Sequence, residues 1–314
     1  NSTAEDYNLG SFLQKNNIIA KDVNLYLDLH YKKKNYKKKK INKKNLDLYY
    51  NLEYKLKKKN YVGDHYQHLI NHIYRNVFVL LNGGIGNRLF EIAYLINLKL
   101  ECDWININYY SNEDKTHSID NKWCNNLLKN INFKNKKPNT RKAINIKETN
   151  SNSYDDTLIE QIMNQEFNEE IIIGQYFQSY KYFQKNSNYI RKLFNNFLFN
   201  KYNKDLSEYG FIHIRGGDYL LKRHQNHYID LTNYYKKCIK KNGTDIKYLI
   251  MTNDIEFSKK LLRNFNNLEY EIVDVGAFES LYMMTKCGKG CICANSSFSW
   301  WGSYLNNTNC KVYM

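Results

Sequence analysis

Proline is almost missing from this chain: Pro138 stands alone among 314 residues. With the excess of Asn, Lys, Ile and Tyr, that scarcity reads as A/T-rich coding, so a single Lys or Asn carries little weight. Long apolar runs are missing too. No stretch approaches the roughly 20 apolar residues of a bilayer-spanning helix, and no signal peptide precedes the core. The segment is therefore expected to face the cytosol, without a membrane span. It starts at Asn1 and stops at Met314 within an expected strand, so it reads as a piece of something longer, whose targeting segments can lie elsewhere. The seven cysteines cannot all pair, and most stand among apolar neighbours, which points to a reducing compartment. The spacing Cys287-Gly288-Lys289-Gly290-Cys291-Ile292-Cys293 is not a common zinc-knuckle spacing, and Cys291 and Cys293 fall on an expected buried strand. Structural thiols are expected there.

Negative charge is in short supply: 47 Lys and Arg face 31 Asp and Glu, for a formal +16. The excess is uneven, with 16 basic and 7 acidic side chains in residues 1–76. The run from Lys32 to Lys40 has the charge to meet nucleic acid or an anionic membrane. A solvated basic extension or linker over 1–75 is the simpler reading. A nucleic-acid protein would interleave basic residues with aromatics throughout, whereas here the excess lies outside the region that carries the motifs.

After residue 76 the character changes to α/β. Val77-Phe78-Val79-Leu80-Leu81 is a continuous apolar run, as in a strand buried on both faces. A glycine turn follows, then Leu89, Ala93, Ile96 and Leu100 at helical spacing, then a strand over 104–107. Residues 110–170 are polar and irregular, with a short helix near Trp123, Leu127 and Leu128. A strand over 171–173 and a helix over 189–199 close a first unit, 76–200. The second, 201–314, alternates strands at 210–214, 248–251, 271–273 and 291–294 with helices at 234–241, 256–265 and 279–286. Such alternation implies parallel sheets, and two such units imply a cleft between Rossmann-like domains.

Three constellations and one loop carry chemistry. Glycines at Gly83-Gly84-Ile85-Gly86, before Asn87 and Arg88, let backbone N–H groups approach a ligand at a helix N-terminus. The spacing is not G-x-G-x-x-G and no acid ends the next strand, which excludes a nicotinamide cofactor; a tight turn without ligand is the alternative. His213-Ile214-Arg215-Gly216-Gly217-Asp218 sets His213 and Arg215 on one face of a strand end. An arginine there suits a pyrophosphate, with Asp218 orienting it or acting as a base; a structural ion pair is the alternative. Thr252-Asn253-Asp254-Ile255-Glu256 resembles a D-x-E metal motif, but Asp254 before a helix reads better as a cap that also contacts a nucleoside. Finally, Asn295-Ser296-Ser297-Phe298-Ser299-Trp300-Trp301 packs three hydroxyls, an amide and two of the four tryptophans behind a small-residue strand.

Together these segments resemble glycosyltransferase family 11, the galactoside 2-α-L-fucosyltransferases. The family's G-G-[LI]-G-N-Q-L-F-Q-Y-A reads here Gly83-Gly84-Ile85-Gly86-Asn87-Arg88-Leu89-Phe90-Glu91-Ile92-Ala93. Its H-[IV]-R-R-G-D-Y is matched by 213–219, its S-D-D by 252–254, and its N-S-[ST]-F-S-W-W-[GA] by 295–302. Lesser signatures fall at Gly174–Ser179 and Tyr234–Lys237, and Met284 and Cys287 match its M-x-x-C. The order holds across 77–314 and leaves 1–75 outside.

The resemblance implies a GT-B-like fold, GDP-L-fucose as donor, no metal and no cofactor beyond that donor. It implies inverting transfer of fucose to a hydroxyl, usually the 2-OH of a terminal galactose on a glycan acceptor. Arg215 would hold the pyrophosphate; Ser297 and Ser299 would donate to phosphate, with Asn295 and Ser296 in the same loop. Gly84, Gly86 and Asn87 would approach the donor, and Asp254 the nucleoside. As acceptor base, Asp218, His213 and His227 are candidates in that order. Four positions depart from the family: Gly216 replaces an arginine, Arg88 and Glu91 replace glutamines, and Ser280 replaces an acid. Arg88, entering from the opposite wall, is expected to make up the lost charge. A degenerate, non-catalytic nucleotide-sugar-binding module is the alternative.

Overall fold

The computed structural model describes residues 75–102, 105–111, 122–131, 133–139, 143–147, 154–163, 165, 170–174, 176–199, 203–222 and 228–314. All but the last residue of the extension read over 1–75, together with Trp104, Gln175 and His227, lie outside the described residues.

Strand β1 (Arg75–Leu81) enters the Asn82-Gly83-Gly84 turn and helix α1 (Ile85–Glu101), and β2 (Ile105–Ser111) follows. The first unit continues with α2 (Lys122–Asn130), β3 (Lys134–Asn135), β4 (Ala143–Lys147), α3 (Leu158–Met163) and β5 (Glu170–Gly174). Two short 3-10 turns lead into α4 (Ser187–Phe199). The second unit runs β6 (Tyr209–Ile214), α5 (Thr232–Asn242), β7 (Lys247–Thr252), α6 (Ile255–Leu262) and β8 (Tyr270–Val273). It ends with α7 (Ala277–Lys286), β9 (Cys291–Ile292), α8 (Ser297–Tyr304) and β10 (Val312–Tyr313).

The strands form two five-stranded sheets, ordered β3-β2-β1-β5-β4 and β10-β9-β6-β7-β8. Every pairing is parallel. This is the architecture of two parallel-sheet α/β units expected from the sequence. Two expectations are corrected. The stretch 110–170 was read as irregular apart from one helix, yet it also supplies β3, β4 and α3. β3 and β4 are edge strands whose side chains are mostly exposed or half-buried, so no apolar run announces them. The strand expected over 291–294 stops at Ile292, where its pairing with β6 and β10 ends.

In each sheet the central strand is the one that opens the unit. The chain moves from β1 to β2 and β3, then returns on the other side through β4 and β5. Likewise it passes from β6 to β7 and β8 before crossing to β9. The topological switch points therefore lie at the carboxyl ends of β1/β5 and β6/β9, where open α/β sheets hold ligands.

The two switch points are locked together. One apolar core includes Val77, Val79 and Leu89 of the first unit and Phe211, Cys291 and Trp301 of the second. A second cluster, with Ile212, Ile214 and Tyr235, covers the opposite face of the second sheet. β6 thus sends alternate side chains to different layers, as a pleated strand must. Trp301 is fully buried; it stacks on Phe183 at 5.6 Å and meets Phe90 edge-on at 4.9 Å. Its Nε1 donates to the Gly86 carbonyl at 3.0 Å. A Cβ at Gly86 would lie 2.6 Å from the Phe298 backbone nitrogen, so only glycine lets α1 and α8 approach this closely.

Truncating Trp301 removes ring contacts from both units at once. We expect Trp301→Ala to cost about 3–5 kcal/mol in urea unfolding, and Trp301→Phe to lose chiefly the single hydrogen bond, about 1 kcal/mol. Equal losses for the two variants would contradict this division.

Candidate functional site

The glycine turn presents a helix N-terminus to the junction. Gly83 adopts φ +71°, which favours glycine, and no heavy atom lies within 4 Å of where a Gly84 Cβ would project. Gly84 therefore faces open space, whereas Gly86 is covered by the first turn of α8. Asn87 Oδ1 accepts from Gln178 Nε2 and from Ser297 Oγ, each at 2.7 Å. One amide oxygen thus joins α1, the segment after β5 and the start of α8.

Arg88 is corrected from its expected place on the cleft wall. It is 1% exposed, and its Nε donates to the Gly83 carbonyl at 3.0 Å. Glu91 is equally buried and accepts from the Asn82 backbone N–H at 3.0 Å. Burial pushes the Glu91 carboxyl well above its ordinary range, while the Asn82 bond and then the Arg88 charge oppose that shift. The two departures from the family stretch are therefore both buried, and the charge of one acts on the carboxyl of the other.

Across the junction, β6 ends in Arg215. Its Nη2 lies 2.7 and 2.8 Å from the two carboxylate oxygens of Asp218, and its guanidinium sits 4.8 Å over the Tyr219 ring. Gly216 N and Gly217 N donate to Asn253 Oδ1 and Asp254 Oδ2, each at 3.0 Å. Asn253 also donates to Asp218 Oδ1 at 3.3 Å. The end of β7 thus grips the loop that carries Arg215, and sequence reasoning gave Asn253 no role. A Cβ at Gly216 would lie 2.9 Å from both the Asp254 Cβ and the Phe257 ring, so the family's second arginine has no room here.

Asp254 is the expected cap: its Oδ1 accepts from Phe257 N at 3.0 Å. With Oδ2 on Gly217 N, both oxygens are engaged by backbone, so its carboxylate holds the loop rather than standing open to a nucleoside. Glu256 points into solvent and pairs with Lys259, so the D-x-E acids do not converge. Ser299, expected at phosphate, is fully buried and donates to the carbonyls of Ala294 and Ser296 at 3.4 and 3.3 Å. Ser296 caps α8, accepting from Phe298 N at 3.3 Å. Asn295 is exposed at the end of β9. It lines, with Arg215, a small recess walled by Tyr219, Tyr228, Phe257 and Leu261. That recess lies at the β6/β9 switch point.

Two buried nitrogens at this point have no partner among the described residues: Arg215 Nε and His213 Nδ1. His213 is 3% exposed, with its ring 5.6 Å from Phe298. Burial, then the Arg215 charge, lowers its pKa to about 3. It stays neutral at neutral pH and is a poor proton acceptor, so it does not suit the role of acceptor base. Asp218 is held by Arg215 and Asn253.

The sign of the His213 shift fixes a pH response. The unfolded chain binds a proton at this residue near pH 6.5 and the folded chain does not until about pH 3. Stability is therefore complete above about 6.5 and is lost as pH falls towards 3, by up to ~1.4 kcal/mol per pH unit. In urea unfolding at pH 7 and pH 5, His213→Asn should lose less on acidification than wild type, by roughly 2 kcal/mol. Identical losses in the two proteins would contradict the burial argument.

Residues 77–314 match the model of glycosyl transferase family 11. The chain is 31% identical over 111 residues to the O-antigen biosynthesis glycosyltransferase WbnK of Escherichia coli, covering 32% of this chain and 35% of that protein. It is 28% identical over 149 residues to an alpha-1,2-colitosyltransferase of Escherichia coli, covering 42% of this chain and 50% of that one. The chain thus spans between a third and a half of the length of the curated relatives it matches. Among solved structures, the E. coli heptosyltransferase WaaC aligns at 12% identity and a TM-score of 0.38, over 76% of this chain and 88% of that one. The NodZ alpha-1,6-fucosyltransferase aligns at 11% identity and a TM-score of 0.35, over 74% and 92%. With its motifs in order at one junction and more than two thirds of its length matched, the chain belongs to glycosyl transferase family 11.

Proposed function

We propose that this protein transfers L-fucose, or a closely related deoxy sugar, from a GDP-sugar to a hydroxyl of a terminal galactose, inverting the anomeric centre. One observation carries the reading: Arg215 is held by Asp218 at one end while its Nε is buried without a protein partner. A cation pre-positioned with an unspent donor at a switch point fits an anionic oxygen. The aromatic recess beside it suits the flat faces of a nucleobase.

In the reaction, the acceptor oxygen attacks C1 as the C1–O bond to the diphosphate breaks. Negative charge then grows on the departing GDP. Arg215 opposes that charge, so its contribution rises towards the transition state. Gly84 is open at the start of α1, and the Asn87–Ser297 bond holds the two units together. The scattered D-x-E acids favour a reaction without a metal bridging the diphosphate, with the arginine serving that purpose. The colitosyl relative motivates testing the sugar broadly.

The test is GDP release from GDP-fucose and GDP-colitose with galactose-ended acceptors, with and without EDTA. Turnover should survive EDTA, and Arg215→Ala should lower kcat by about 10²–10³. Loss of activity in EDTA would overturn the metal-free reading. Tight GDP binding with no turnover on any acceptor would favour a binding module, which the missing arginine at Gly216 makes worth scoring.

Arg88 provides a separate check. Buried beneath the turn, it should not reach the diphosphate: Arg88→Gln is expected to leave GDP affinity nearly unchanged while lowering stability, and a tenfold weaker GDP binding would contradict this.

A further inference from the structure

The two-residue strand β10 pairs with β9 at the edge of the second sheet, and two thiols stand where they meet. Cys291 Sγ and Cys310 Sγ lie 3.3 Å apart, 19 positions apart in the chain, and neither is in a disulfide. Cys291 is fully buried on β9, whereas Cys310 is half-buried between the exposed Asn309 and Lys311. The other thiols near this point are engaged elsewhere. Cys287 donates to the Met283 carbonyl at 3.3 Å, and Cys293 contacts Ser303 Oγ at 2.8 Å.

From this geometry we infer that Cys291 and Cys310 form a redox-modification site, in which an accessible thiol meets a hydroperoxide and a buried neighbour resolves the product as a disulfide. The Cys310 thiolate attacks the peroxide O–O bond, gains an oxygen as the sulfenic acid, and releases an alcohol or water. Cys291 sulfur then attacks Cys310 sulfur. The S–S bond forms, the S–O bond breaks, and the Cys291 proton leaves with the hydroxide as water. The two sulfurs lose two electrons in all, and the peroxide gains them.

Two features favour this division of labour. The thiol of Cys291 and the hydroxyl of Thr308 face Cys310 sulfur, and its pKa falls to about 6, so it is largely thiolate at neutral pH. Hydrogen bonding to Cys310 and burial push Cys291 the other way, keeping its proton until the second step. Closing the pair needs a little over 1 Å of approach to reach the ~2.05 Å of an S–S bond. Cys310 can supply it from a short edge segment flanked by exposed residues.

The consequence reaches the site. A Cys291–Cys310 bond closes a loop holding Asn295, Ser297 and all of α8, including Trp301. Such a closure restricts the unfolded chain most strongly around the segment that joins the two units. Oxidation should therefore raise Tm while leaving the residues around Arg215 in place.

The experiment treats the intact protein with a small excess of hydrogen peroxide, blocks free thiols and maps peptides by mass spectrometry without reductant. The expected product is one crosslinked peptide pair joining Cys291 to Cys310, lighter by two hydrogens, with Tm shifted upwards and both changes reversed by dithiothreitol. Cys310→Ser should abolish the crosslink and the shift, while Cys291→Ser should leave Cys310 trapped as a sulfenic acid that dimedone captures. Should either variant fold poorly, the wild-type map still decides. Two alkylated, unlinked thiols after peroxide, sulfinic acid at Cys310 without crosslink, or a bond to Cys287 instead would each overturn the proposal.

Discussion

The contact on which the rest depends is the meeting of two helix N-termini, α1 and α8, across the two sheets. Gly86 has no side chain because the first turn of α8 lies where one would be. Its carbonyl accepts from Trp301, and Asn87 next to it accepts from Ser297. Those bonds link residues more than 200 positions apart and bring the carboxyl ends of β1 and β6 into one region. Every functional assignment follows from that approach. Under the proposed function, a sugar nucleotide at β6/β9 would lie next to the unit that carries α1, because the glycine lets the two units come so near.

Around that junction, the residues of each motif divide into those that hold and those that face the open space. Trp301, Ser299, Arg88, Glu91 and Asp254 hold; they are buried or have their polar atoms engaged by backbone. Asn295 and Gly84 face outward, and Arg215 is half-buried against Asp218 and Tyr219. The partition has a physical reason. A loop that presents charge to a ligand must itself be fixed, and here the fixing groups are an amide and a carboxylate bonded to glycine N–H groups. The aromatic stack of Phe90, Phe183 and Trp301 supplies the apolar weight behind them.

Much of the architecture was legible in the residues. The apolar runs at Val77–Leu81 and Phe211–Ile214, each ending in glycines, marked the central strands, and the alternation of elements marked parallel sheets. The edge strands β3 and β4 were not legible, because their side chains bury little and no periodic pattern results. At the site, Arg215 and the cap role of Asp254 were readable from local order. The fate of Arg88 was not: whether a charge at the fourth position of a helix faces a cleft or a buried glutamate depends on packing. Asn253 was invisible for the same reason, since its partners Gly216 and Asp218 lie 37 and 35 positions away. Ser299 looked like its neighbours in sequence and differs from them only in the helical phase that turns it inward.

The account stands on where the diphosphate sits relative to Arg215. A crystal structure of the protein with GDP bound measures this directly. The prediction is a phosphate oxygen within ~3.2 Å of Arg215 Nε, the base against Tyr228 and Phe257, and Asp218 still paired to the guanidinium. A diphosphate bound elsewhere, with Arg215 Nε and His213 Nδ1 untouched, would contradict it.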